Sequence, residues 1–177
     1  FGVDLDIATV LLAMIPFFTI LFTPLFGALV DKVGKATTWM IVGSALVLIS
    51  HLIITFAPQG EPVYAYIAIA LLGTGYSLVP SAMWPSVPKI IPEKNLGTAY
   101  SLIYWVQNLG MWAVPIYVGR IFKNTITEAG NAAQEISAAI RAEYVFIFLG
   151  IIAIATALML YFSSKRHPEL RLDKAAK

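Results

Sequence analysis

Residues 7–30 read IATVLLAMIPFFTILFTPLFGALV, an uninterrupted run without Asp, Glu, Lys or Arg. A helix needs about 20 apolar residues to cross the hydrocarbon core of a bilayer. A charge at the bilayer centre costs roughly 2.5–3.5 kcal/mol on insertion scales. Runs of the same kind recur at Ala36–Gly60, Pro62–Pro88, Asn95–Gly119 and Tyr144–Ser164. Five such runs predict an all-α membrane protein, with spans at about 7–30, 36–58, 63–88, 95–119 and 143–164. Residues 1–164 form one transmembrane bundle and 165–177 a polar tail, expected to be loose. Composition agrees: 59% of residues are hydrophobic and 12% charged. Soluble domains sit near roughly 45–50% and 25%. A buried soluble core built from these helices would lack the polar face that water requires.

Short connections make neighbouring helices antiparallel, so the loops alternate sides. Lys32, Lys35, Lys89, Lys94, Lys165, Arg166, Arg171, Lys174 and Lys177 fall on one side, against Arg120, Lys123 and Arg141 on the other. Basic residues favour the cytoplasm, which places the 31–35 and 89–94 loops and the C-terminus there. The long 120–143 connection carries Ala132, Ala133, Ile136, Ala139 and Ile140 at helical spacing, which predicts an interfacial helix or an extension of the last span. The chain holds no cysteine, so disulfides and thiolate-bound metals are excluded. No basic run resembles a nucleic-acid patch, and no cofactor or metal is expected. The chain begins at Phe1 rather than Met, without signal-peptide features, and is expected to be part of a longer protein.

Between the first two spans stands Gly27-Ala28-Leu29-Val30-Asp31-Lys32-Val33-Gly34-Lys35. Gly27 permits close helix approach, and Gly34 allows a tight turn. Asp31 can face a helix N-terminus, and Lys32 and Lys35 can reach lipid headgroups. The segment resembles the cytoplasmic signature loop of the major facilitator superfamily, G-x-L-x-D-R/K-x-G-R/K-R/K. The last basic position is Ala36 here, as is common in the weaker second copy of that motif. The resemblance implies a helical bundle of twelve spans in two six-helix halves, the signature following the second span of each. Five spans are present and the signature follows the first, so the chain matches spans eight to twelve. A missing N-terminal six-helix half, and the seventh span, are then expected as partners, with membrane lipid around them. Gly27, Asp31, Lys32, Gly34 and Lys35 are expected to gate the cytoplasmic side.

A second pattern is more specific. Ser81-Ala82-Met83-Trp84-Pro85-Ser86-Val87-Pro88 closes the third span. Ile91-Pro92-Glu93-Lys94-Asn95-Leu96-Gly97-Thr98-Ala99-Tyr100 and Gln107-Asn108-Leu109-Gly110 follow. Over Ser81–Gly110 this is similar to the lysosomal dipeptide transporter branch of the superfamily, which occurs in bacteria as well as animals. The resemblance implies a small-molecule substrate, with dipeptides first. A bacterial inner membrane is preferred over a lysosomal one as its location.

The residues themselves support a substrate path. Gly73, Gly75, Pro80, Pro85 and Pro88 interrupt the helical ladder of the third span, and broken helices line transport paths. Tyr76, Pro80, Met83, Trp84 and Val87 share a stripe there. Tyr100, Tyr104, Gln107, Asn108 and Met111 share one on the fourth span. Polar groups in hydrocarbon need partners, and amides both donate and accept, which suits a peptide bond or a zwitterion. Tyr76, Trp84, Tyr100, Tyr104, Gln107 and Asn108 are therefore the expected substrate contacts. The plainer roles are interhelical bonding for Gln107 and Asn108, and core packing or interfacial anchoring for the aromatics. Pro16, Pro24 and Pro115 read as kinks. His51, alone among span histidines, reads as packing or an interfacial hydrogen bond, with a proton relay as the sharper role. No carboxylate lies deep in a span, so coupling groups sit elsewhere or the protein is a facilitator. The expected function is a secondary active or facilitative carrier working by alternating access. The alternative is a channel or structural membrane subunit. An intramembrane enzyme fits less well, because the spans offer one His and scattered Ser rather than a catalytic constellation.

Overall fold

The computed structural model describes residues 1–127 and 130–175. The first helix, α1 (Leu5–Val33), runs unbroken through Pro16 and Pro24. Asp6 in its first turn and Lys32 in its last complement the helix dipole. It is followed by α2 (Ala36–Phe56) and α3 (Pro62–Met83), which starts with Pro62 at its first position, where the missing N–H costs nothing. A 3₁₀ turn at Trp84–Ser86 leads into the single-turn α4 (Val87–Ile90). A second such turn, Glu93–Asn95, opens α5 (Leu96–Thr125), and α6 (Ala132–Arg166) ends the bundle. No strand occurs among the described residues.

Four segments (α1, α2, α3 with α4, and α6) are long and apolar enough to cross a membrane by length and composition. At 30 residues α5 is long enough too, about 45 Å. It is less apolar, because Tyr100, Ser101, Tyr104, Gln107 and Asn108 stand among its hydrophobic residues. The 132–140 segment continues into the last helix without interruption. Asn131 caps it, its side-chain oxygen accepting from the Gln134 N–H at 3.0 Å.

What holds the helices together is small. The buried apolar residues include Val30, Ala36, Met40, Ala68, Ala82, Ala138, Ala142 and Ala157, and five of them form one cluster joining α1, α2, α3 and α6. Gly43 and Gly75 let α2 and α3 cross at backbone distance: a Cβ on Gly75 would lie 2.6 Å from the Gly43 carbonyl oxygen. Ser50 Oγ donates to the Ala68 carbonyl at 2.7 Å across the same interface. Close approach of small residues, with hydroxyl-to-carbonyl bonds, is how helices associate where lipid removes the hydrophobic drive between them. Gly73 lies against the Phe18 ring of α1, and Ser81 Oγ donates to Thr23 O at 3.1 Å. Gly150 of α6 faces Leu48 of α2. Large side chains point outward instead: Leu25, Phe56, Trp105, Trp112, Phe148 and Met159 are exposed. An apolar exterior around a small-residue interior is the packing of a protein solvated by lipid.

As far as Ala175 the polar tail is not loose. After α6 the chain makes a 3₁₀ turn at Pro168–Leu170 and folds back onto the α1–α2 loop. Leu172 is 1% exposed. The α1–α2 loop, the tail and Lys89 after the α3 break thus meet at one end of the bundle.

Candidate substrate path and gating loop

Why α3 breaks follows from its sequence. Ser77, Ser81 and Ser86 each donate a side-chain hydrogen bond of 2.7 Å to the carbonyl four residues back. Such bonds loosen a helix locally. Pro80, Pro85 and Pro88 remove donors over the same stretch, and the ladder gives way to the 3₁₀ turn at Trp84.

That break places Trp84 against α5. Its ring stacks on Tyr104 at 5.1 Å between centroids and lies tilted against Tyr100 at 5.8 Å. The Tyr100 hydroxyl reaches the Trp84 carbonyl at a long 3.5 Å. Three of the six expected contacts therefore form one aromatic cluster across the α3–α5 gap. Gln107, one turn beyond Tyr104, is exposed. Asn108 is also exposed, and its amide nitrogen donates to the Tyr104 carbonyl of its own helix at 2.8 Å. Tyr76 is exposed and takes no part in the cluster. Along the α3 stripe Met83 packs on the core cluster and Val87 is buried, whereas Tyr76 is exposed.

In the signature loop Gly34 has φ 72° and ψ −145°, and Lys35 is left-handed at φ 58°. Together they reverse the chain between α1 and α2. Asp31, Lys32 and Lys35 are exposed, and the Asp31 side chain makes no hydrogen bond or ion pair among the described residues. A Cβ on Gly27 would meet nothing within 4 Å. The carboxylate that occupies a helix N-terminus here is Asp173 of the tail. It accepts from the Thr37 N–H at 3.0 Å and the Thr37 hydroxyl at 2.8 Å, and its other oxygen accepts from Ser164 Oγ at 2.8 Å. The Asp173 carbonyl accepts the Lys35 N–H at 2.9 Å. Trp39 Nε1 donates to the Gly34 carbonyl at 3.0 Å. Lys89 Nζ reaches the carbonyls of Leu172 and Lys174 at 3.4 and 3.2 Å.

At the far end, His51 Nδ1 lies 2.7 Å from Glu143 Oε2, with the imidazole stacked on Phe146. This is an interhelical bond between α2 and α6. An open groove of about 1000 Å³ separates α5 from α6 there, lined by Trp112, Tyr117, Arg120, Arg141, Tyr144 and Phe148. It shares no residue with the Trp84 cluster.

The family model of the major facilitator superfamily matches residues 1–177. The chain belongs to the major facilitator superfamily. Among curated proteins it is similar to the lysosomal dipeptide transporter MFSD1 of Mus musculus, 43% identical over 99 residues, which is 56% of this chain and 20% of that protein. The human protein of the same name is 36% identical over 121 residues, covering 68% of this chain and 25% of the relative. That of Danio rerio is 39% identical over 99 residues, 56% and 21% of the two chains. The aligned parts thus amount to a quarter or less of those relatives' lengths. No solved structure matches. Membership makes this an integral, multi-pass membrane protein with a helical-bundle fold, as its apolar helices require.

Proposed function

We propose that the chain is the C-terminal part of a secondary transporter, active or facilitative, that moves small solutes by alternating access, with dipeptides the first substrate class. The observation that carries this is the Trp84 cluster: a helix broken at Trp84-Pro85, its indole stacked on Tyr104 of α5 within charge-free spans. A carrier needs a polar site at membrane depth bounded by helices that can separate. Gln107 and Asn108 supply amide donors and acceptors one turn further along α5, and ring faces can take an ammonium group. This part of the protein offers no carboxylate or cation deep in a span, so the charged ends of a zwitterion would be met by the remaining six-helix half. The names of the matched relatives support peptides as the class.

The basic end, with Lys32, Lys35, Lys89, Lys94, Lys165, Arg166, Arg171 and Lys174, is assigned to the cytoplasm. Gly27, Asp31, Lys32, Gly34 and Lys35 are assigned to its gate. Support for a bacterial inner membrane is confined to the branch's occurrence in bacteria; the matched relatives are lysosomal by name. Carrier rather than enzyme is the assignment, because family and relatives alike are transporters. The test is uptake of a labelled dipeptide panel by the full-length protein in liposomes, with and without Trp84→Ala. Saturable uptake lost in the variant supports the site. Equal kinetics in both would remove it.

A further inference from the structure

The docked tail has a consequence for the gate. Nothing in the local sequence of α2 caps its start: Lys35 occupies the N-cap in a left-handed conformation, and its side chain caps nothing. The cap comes from 136 residues away. Asp173 satisfies the Thr37 N–H, and its negative charge sits at the positive end of the α2 dipole. Thr37 is fully buried, and the tail beside it is anchored by Leu172 at 1% exposure. The same short segment contacts three separate structures. Its backbone closes over Gly34, where an added Cβ would lie 2.5 Å from the Asp173 carbonyl oxygen. Ser164 ties it to the end of α6. Lys89, three residues beyond the Trp84–Ser86 turn, holds its carbonyls.

We infer that Asp173 is a positioning residue for transport: it acts through Thr37 and Lys35 to fix the signature loop, and the tail it anchors ties that loop to the broken end of α3 through Lys89. The inference rests on the transport role proposed above. Asp173 does not touch the substrate path. It sets the conformation of the loop carrying Asp31 and ties that loop to the segment carrying Trp84, so the loop and the broken helix move as one piece.

The test uses the full-length transporter in liposomes, in a background otherwise free of cysteine, with a single reporter, Val33→Cys, in the signature loop. Two quantities are read: the maleimide labelling rate of the reporter from the basic side, and Vmax and KM of uptake. Exchanging a charged acceptor for a neutral one loses about 0.7–1.4 kcal/mol, which is three- to tenfold in an equilibrium. Asp173→Asn keeps the shape and removes the charge. It is expected to raise labelling about three- to tenfold and lower Vmax by a similar factor, with KM unchanged. Asp173→Glu is expected to recover at least part of both. If Asp173→Asn does not yield a monodisperse protein, Thr37→Val, which removes only the hydroxyl bond, is measured in its place and should shift both quantities in the same direction. Faster labelling with an unchanged Vmax would overturn the positioning role, as would no change in either. If the parent protein transports nothing, the transport proposal fails, and labelling alone then decides whether the tail holds the loop.

Discussion

Gly34→Ala puts the docked tail under its most severe structural test. At φ 72° and ψ −145° the residue occupies a region of backbone space that is essentially closed to side chains. Holding alanine there costs about 1–3 kcal/mol. The new Cβ would also lie 2.5 Å from the Asp173 carbonyl oxygen and 2.7 Å from the Ala175 nitrogen, both backbone atoms that no rotamer change can move. The tail must lift. Lifting it breaks the Thr37 and Ser164 bonds to the Asp173 carboxylate and exposes Leu172. The Asp173 carboxylate is only half-buried, so losing its bonds costs about 1–2 kcal/mol. The sum is about 2–5 kcal/mol. The assay is thermal unfolding of the detergent-solubilised full-length protein, together with trypsin cleavage after Arg171 and Lys174. We expect a lower apparent Tm and rapid loss of the tail. Lys35→Gly, which relieves a left-handed lysine, should leave stability equal or raised by up to about 1 kcal/mol. A Gly34→Ala protein with unchanged Tm and a protected tail would refute the reasoning.

Further outcomes follow from the same geometry. Gly75→Ala forces α2 and α3 apart at the Gly43 carbonyl and should cost about 1–3 kcal/mol, read as a lowered apparent Tm; an unchanged Tm would mean the crossing is slack. Trp84→Ala or Gln107→Ala should lower uptake at least several-fold while the protein stays monodisperse, and unchanged kinetics in both would move the site elsewhere. Asp31→Asn should slow turnover without altering substrate affinity in equilibrium binding; a normal turnover rate would count against a gate role. His51→Ala removes the α2–α6 bond to Glu143 and should cost about 1–2 kcal/mol, checked by thermal unfolding, with uptake near normal if the bond is only structural.

The bundle was legible because charge-free runs have one economical explanation. The helix-breaking prolines around Trp84 gave the end of α3 in the same way, since a missing donor acts locally. The aromatic cluster was half legible: helical spacing put Tyr100 and Tyr104 on one stripe, and the fold brought Trp84 to them. Tyr76 stands eight residues, more than two turns, before Trp84 on a helix that stays regular through Met83, so a shared stripe does not bring the two rings together. Val87 and Met83 turn to the core while Tyr76 stays exposed. The tail was not legible. It is polar, short and lysine-rich, which reads as solvated, and its anchoring carboxylate pairs with a threonine at the other end of the sequence. Sequence placed a carboxylate at a helix N-terminus and chose Asp31; the structure puts Asp173 there. No periodic signal marks a cap supplied from so far away.

The family fold, with its Trp84 cluster, is proposed to carry a solute by alternating access. Counterflow tests it most directly: liposomes holding the full-length protein are loaded with an unlabelled dipeptide and diluted into a trace of the labelled one. A carrier predicts transient accumulation of label above equilibrium, saturable in the internal dipeptide and reduced by Trp84→Ala. Label that merely equilibrates, at a rate linear in concentration and indifferent to the internal dipeptide, would contradict it.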